Sequence, residues 1–259
     1  MLDNGQSCLL VDAGLSAKQL VLRMKALGVE PEDLSGILIT HEHGDHVKGI
    51  EVFARKFEVP IYATALTQEV LAQKISSVKQ WNLFSAGQGF ECGGIAVASF
   101  SIPHDAVDPV GFKFSYDGQQ AAVVTDLGHA SPRLIEQLRG VTAMVLEANY
   151  CEQLLEEDEL RPWSLKQRIS SRHGHLSNVQ AYELARELQS AGLQRVILGH
   201  LSRDCNTAAV ANAVFEDLAL QEVRVASQTE VTGWMPVVDA PRPKEIIEES
   251  GQVRLELFG

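Results

Sequence analysis

Short continuous apolar runs alternate along this chain with segments in which apolar residues return every three or four positions. SCLLVDAG (7–14) predicts a strand that ends at Asp12. Ser16 predicts a helix cap, with Gln19 at the capping-box position, Ala17, Leu20, Val21, Met24 and Leu27 on one face, and Gly28 as the stop. GILIT (36–40) is short and apolar throughout, the mark of a strand buried on both faces. VKGIEVFARKF (47–57) reads as one helix, PIYAT (60–64) as a strand and TQEVLAQKI (67–75) as a helix.

The middle of the chain is β-rich. GIAVASFSIP (94–103) and PVGFKFSY (109–116) alternate in polarity, and Asp117-Gly118 predicts a hairpin turn into QQAAVVT (119–125). Ser131-Pro132 opens a helix, with a cap followed by proline at the first helical position. VTAMVLE (141–147), QRVILGH (194–200) and EVRVAS (222–227) predict strands, separated by capped helices at 177–192 and 207–220. Residues from Pro241 form a polar, proline-punctuated tail that closes on QVRLELF (252–258), an expected edge strand. With no repeat and no low-complexity linker, one α/β domain over 1–259 is the simplest organisation.

Composition bounds the function. At 45% hydrophobic and 22% charged residues the chain reads as soluble and globular, and no apolar stretch reaches the roughly 18–20 residues of a membrane span. MLDNGQS has no basic start and leads into no apolar core, so a cytoplasmic location is expected. Cys8, Cys92, Cys151 and Cys205 are scattered without a C-x-x-C pair, as small buried residues of a reducing compartment would be. A net charge of −12 argues against general nucleic-acid coating. The charge is uneven: LEEDEL (155–160) is acidic and reads as a solvated loop or helix end, while 161–182 holds Arg161, Lys166, Arg168 and Arg172 and no acid.

The chemistry-bearing residues stand where predicted strands end. His41, His43, Asp45 and His46 follow GILIT, His104 follows FSIP, Asp126 follows AVVT and His200 follows VILG. Any one of these histidines alone fits an ordinary packed or surface role. Loops leaving one sheet edge converge, however, and imidazoles with carboxylates are the ligand set of zinc, iron or manganese. Together they predict a metal site.

The order H-x-H-x-D-H (41–46), then a lone His, a lone Asp and a last His, resembles the metallo-β-lactamase fold hydrolases across residues 12–200. That resemblance implies an αββα sandwich, two β-sheets flanked by helices, with the site at one edge. It implies that His41, His43 and His104 hold one divalent cation, that Asp45, His46 and His200 hold a second, and that Asp126 bridges them. Asp12 matches the aspartate that supports the metal loop from outside. ANYC, RPWSLKQRI, HGHLSN and GHLSRDCN further resemble the YycJ/WalJ-like branch, described as DNA exonucleases. Members of that branch carry a strand and a glycine- and serine-rich turn ahead of the segment matching 4–14. Here that segment lies at the start, so the resemblance implies either a start further upstream or an open sheet edge, which a neighbouring subunit would cover.

These readings predict a two-metal phosphodiesterase with DNA as partner and 5′→3′ exonuclease action. A small-molecule hydrolase on the same fold (a cyclic phosphodiesterase, thioesterase or lactonase) is the alternative that net acidity favours. Asp45 and Asp126 serve the attacking water, and His175 is the candidate acid. The loop holding His175 also fits a helix-capping role ahead of Ser177. Arg161, Lys166, Arg168, Arg172, His173, Arg203 and Asn206 are candidate phosphate contacts, and Trp163 a candidate base-stacking platform. His129 and His173 also fit plain loop roles, and Cys205 reads as a packing residue.

Overall fold

A computed structural model describes residues 1–238 and 254–255. Among these, two sheets of seven strands face each other, with helices outside both. The first sheet contains β1 (Leu2–Asp3), β2 (Cys8–Val11), β3 (Leu34–Leu38), β4 (Ile61–Thr64) and β5 (Trp81–Phe84). The second contains β6 (Gly89–Cys92), β7 (Ile95–Ser101), β8 (Val110–Tyr116), β9 (Gln119–Val124), β10 (Ala143–Glu147), β11 (Arg195–Gly199) and β12 (Glu222–Val225). Two late strands, β13 (Met235–Pro236) and β14 (Arg254–Leu255), return to the first sheet.

The continuous apolar runs are explained by two-sided burial. In β10, Ala143 and Val145 face the layer between the sheets, while Met144 and Leu146 face the outer layer. Ile197 of β11 points inward, Val196 and Leu198 outward. Leu38 likewise belongs to the inner layer and Ile37 and Ile39 to the outer one. A one-residue slip would exchange two packed faces at once, so register is strongly fixed. The outer layer of the first sheet is closed by α1 (Ala17–Ala26) and α3 (Ile50–Phe57), through Leu20, Met24 and Phe53.

Three sequence expectations are corrected. The helix expected over 47–57 is broken into α2 (Gly44–Val47) and α3. The break lies where Gly49 donates its N–H to the Ala13 carbonyl, so close to that loop that a Cβ would sit 2.1 Å from the Leu15 oxygen. The edge expected to be open is covered: Leu2 pairs with Leu9 on one side and with Leu255 on the other. Arg254–Leu255 is therefore an interior strand between β1 and β13, and the rest of the tail lies outside the described residues. Periodicity also passed over β1, β5, β6, β13 and two short helices. After α4 (Ala65–Ala72) and α5 (Pro132–Leu138) come these two, α6 (Glu152–Glu157) and α7 (Trp163–Ile169). The predicted α8 (Asn178–Gln189), with its Ser177/Gln180 capping box, and α9 (Ala208–Val214) complete the set.

Candidate metal centre

Strand direction assembles the site. β2, β3 and β4 are parallel, as are β9, β10 and β11, and β7 runs with β9 because both are antiparallel to β8. The C-terminal ends of β2, β3, β7, β9, β10 and β11 thus deliver Asp12, His41, His104, Asp126, Glu147 and His200 to one edge of the sandwich. Asp12, Asp126 and His200 reverse the chain at that edge with left-handed backbone, at φ of 58°, 57° and 56°.

Four overlapping groups could each hold a metal ion: His41 with His43 and His104; Asp45 with His46 and His200; His41 with His46 and Asp126; and Asp126 with Glu147, His175 and His200. All seven ligands expected from the sequence fall in these groups, and Asp126 is shared. Its Oδ2 lies 3.2 Å from His46 Nε2 and its Oδ1 3.4 Å from His200 Nε2 and 3.6 Å from His104 Nε2.

Outer acceptors settle which imidazole nitrogen faces inward. His46 donates from Nδ1 to Asp12 Oδ2 at 2.8 Å, and Asp12 also accepts from the Thr40 N–H and hydroxyl. His104 donates from Nδ1 to the Gly174 carbonyl at 3.2 Å. His200 donates from Nδ1 to Glu147 Oε1 at 2.8 Å. Each bond leaves an Nε2 lone pair directed at the cluster, the arrangement of metal-ligating histidines.

The buried atoms fit a divalent cation. His41 Nε2 is fully enclosed and makes no hydrogen bond, and Asp126 Oδ2, equally enclosed, faces His46 Nε2 at 3.2 Å. An aimed, enclosed lone pair without a donor is costly unless a positive charge sits against it. Electrostatics agrees. Burial, with His46 beside it, pushes the His41 imidazole down to about 2, so it stays neutral and able to ligate. Burial pulls His46 down as well, but Asp126 and Asp12 outweigh it and raise it to about 10. His200 hydrogen-bonds Asp45 and holds that carboxyl well below its usual range. Burial opposes ionisation of Asp126, but His200 and His46 keep it ionised.

Sequence reasoning missed Glu147. Its carboxylate is completely buried, yet it accepts four hydrogen bonds: from Nδ1 of His175 and His200 at 2.8 Å each, and from the N–H groups of Leu127 at 2.8 Å and Leu176 at 3.2 Å. An acid ending an otherwise apolar strand at the ligand-bearing edge was the available signal.

Comparison with known proteins fits this geometry. A family model described as "Beta-lactamase superfamily domain" matches residues 8–201. The chain belongs to the metallo-β-lactamase superfamily. It is 37% identical to the exodeoxyribonuclease YycJ of Bacillus anthracis, over 78% of this chain and 77% of that one. It is 33% identical to the exodeoxyribonuclease WalJ of Streptococcus pneumoniae, over 93% and 91% of the two chains. The metallo-β-lactamase fold protein YhfI of Bacillus subtilis has the same fold, with a TM-score of 0.66, 19% identity and coverage of 86% of this chain and 85% of that one.

In this superfamily member a cleft of about 1200 Å³ opens over the centre. His175 lines it, as do Arg168 and Arg203. The other candidate phosphate contacts and Trp163 are not among its lining residues. Arg161 is held by Asp158 and, at 2.6 Å, by Asp204, and Lys166 donates to the Glu156 carbonyl at 2.7 Å. Arg172 bonds His129, which in turn bonds the Arg172 carbonyl. His173 is exposed with its N–H on Ser171, and Trp163 is 68% exposed. Asn206 is a buried strut that donates to Ala148 and Asn149 carbonyls and pairs with Asn178. Cys205 packs with Tyr150 and Leu155. Among the described residues no helix is long and apolar enough to cross a membrane.

Proposed function

We propose that this chain is a two-metal phosphodiesterase that removes nucleotides from DNA ends, in the 5′→3′ direction. The observation carrying the reading is the joint placement of seven ligands around Asp126 with His175 standing beside them, in a chain whose relatives over most of its length are named exodeoxyribonucleases. His41, His43 and His104 would hold one cation, Asp45, His46 and His200 the second, and Asp126 both. This donor set accepts zinc or manganese, and iron is also compatible with it. When bound, the cations supply the positive charge that activates water and stabilises the phosphoryl oxygens.

The chain's own groups do the rest. Asp45, whose side chain is 71% exposed, offers a carboxylate oxygen that accepts a hydrogen bond from the attacking water and orients it. Water oxygen attacks phosphorus, the bond from phosphorus to the 3′ oxygen breaks, and that oxygen needs a proton. Glu147 fixes His175 Nδ1, so Nε2 is the ring nitrogen free to meet the leaving oxygen across the cleft. The test is to incubate metal-loaded protein with 5′- and 3′-end-labelled DNA beside bis-p-nitrophenyl phosphate. Progressive release of mononucleotides from the 5′ end supports the reading. Turnover of the small ester alone would replace it with the small-molecule hydrolase.

A further inference from the structure

The sequence places four cations between 161 and 172, and in the structure each already has a partner. Arg161, Lys166 and Arg172 are engaged elsewhere, and Arg168 is tied to Asp105 Oδ2 at 2.5 Å, next to His104. Two other cations line the cleft. Lys48 follows His46 by two residues and Arg203 follows His200 by three; both are exposed. Among the described residues neither side chain has an ion pair or hydrogen bond. The first turn of α1, which carries no acid, borders the same cleft through Ser16 and Gln19. Positive charge without a partner is therefore gathered at the Asp45–His46–His200 end of the centre and cancelled at the His104 end.

Resting on the polynucleotide reading above, we propose that Lys48 and Arg203 contact the backbone phosphates flanking the scissile one, so that the substrate strand continues over the Asp45–His46–His200 end of the centre. A chain of net charge −12 repels a polyanion at long range, but screening confines that repulsion to about 8–10 Å, within which two unpaired cations dominate. Both residues lie beyond the ligands on their loops rather than among them. They are placed for a neighbouring phosphate, and a mononucleotide ester would not reach them.

The experiment uses the metal-loaded full chain with a fluorescent, cleavage-resistant phosphorothioate single strand, measuring anisotropy against salt, and bis-p-nitrophenyl phosphate turnover in parallel. Lys48→Ala and Arg203→Ala should each weaken strand binding about tenfold at roughly 0.1 M salt and flatten the log–log salt slope by about 0.7. Turnover of the small ester should stay within about twofold. Lys48→Arg should restore binding, and Lys166→Ala and Arg172→Ala should leave it unchanged. An unchanged slope in the double variant overturns the proposal, as does equal damage to the small ester or equal loss in Lys166→Ala. If the parent protein hydrolyses the ester but neither binds nor degrades the strand, the polynucleotide reading falls and the pair falls with it. If the parent degrades DNA and the double variant does so equally, only the pair is refuted.

Discussion

Glu147→Gln is the sharpest test of how the centre is held. The substitution keeps shape and removes one acceptor oxygen. Oε1 faces two imidazole N–H groups and Oε2 faces two backbone N–H groups, so either amide flip sets an NH2 against two donors. Facing the backbone, the amide strands the Leu127 and Leu176 N–H groups. Facing the histidines, it is tolerated only if His175 and His200 switch tautomer, which puts a proton on His200 Nε2 and removes a metal ligand. Breaking a fully buried charged network costs about 3–5 kcal/mol, which for a chain of this size lowers the melting temperature by roughly 6–15 °C. Metal affinity should fall about 10–100-fold. Chelator competition followed by a fluorescent metal indicator reads the affinity, and thermal melting with and without chelator separates metal loss from general destabilisation. A variant that binds metal as tightly as the parent and turns over DNA within about threefold would refute the claim that Glu147 sets the tautomer of His200.

Asp126→Asn should lose at least one cation and essentially all turnover; elemental analysis of parent protein purified without chelator should find about two metals per chain, and one or none would sink the two-metal assignment. His46 is raised from its ordinary 6.5 to about 10 by Asp126 and Asp12 against burial, so in metal-stripped protein its attraction stabilises the fold fully below about 6.5 and is lost as pH rises through about 10. Metal must displace that proton, so affinity measured by chelator competition should climb with pH between those limits, and a flat profile would contradict the assignment. Gly14→Ala would place a Cβ 1.5 Å from the Asp45 carbonyl oxygen, pushing the loop of Asp45 and His46 outward. Turnover should drop about 10²-fold with unchanged circular dichroism, and near-normal turnover would show that the loop yields freely.

The candidate ligands stand out in the sequence because each follows an apolar run at a place where the strands end together. His41 through His46 could not be read as part of any amphipathic stripe, and Asp12, His104, Asp126 and His200 each close a strand. For Glu147 the signal is weak: an acid ending VTAMVLE looks like an ordinary strand terminus until its burial and four donors are known. The short helices α6 and α7 were missed for a different reason. They bury little, with Leu160 between them 92% exposed and Trp163 at the start of α7 68% exposed, so they write no period into the sequence. The acid-free window does not show Asp105, Asp158 and Asp204, which lie outside it and pair with Arg168 and Arg161. Charge read in a linear window reports supply, not the balance reached after folding.

The left-handed backbone at Asp12, Asp126 and His200 shows what the double-sided sheets do for the site. A non-glycine residue in that region costs on the order of 1–2 kcal/mol, and His200 has less local compensation than an aspartate. Relaxing any of the three would require β2, β9 or β11 to slide or untwist. Each of these strands sends alternate residues into two separate cores: Leu9 and Leu10, Val123 and Val124, Ile197 and Leu198 point to opposite layers. Moving one strand by one residue would therefore strip apolar groups from both layers, at about 1.5–3 kcal/mol for each large side chain exposed. The packing outweighs the strain by several-fold. The reversed strand ends carry Asp12 to the histidine loop, and Asp126 and His200 to the centre itself, at positions that the chain cannot leave without opening the sandwich.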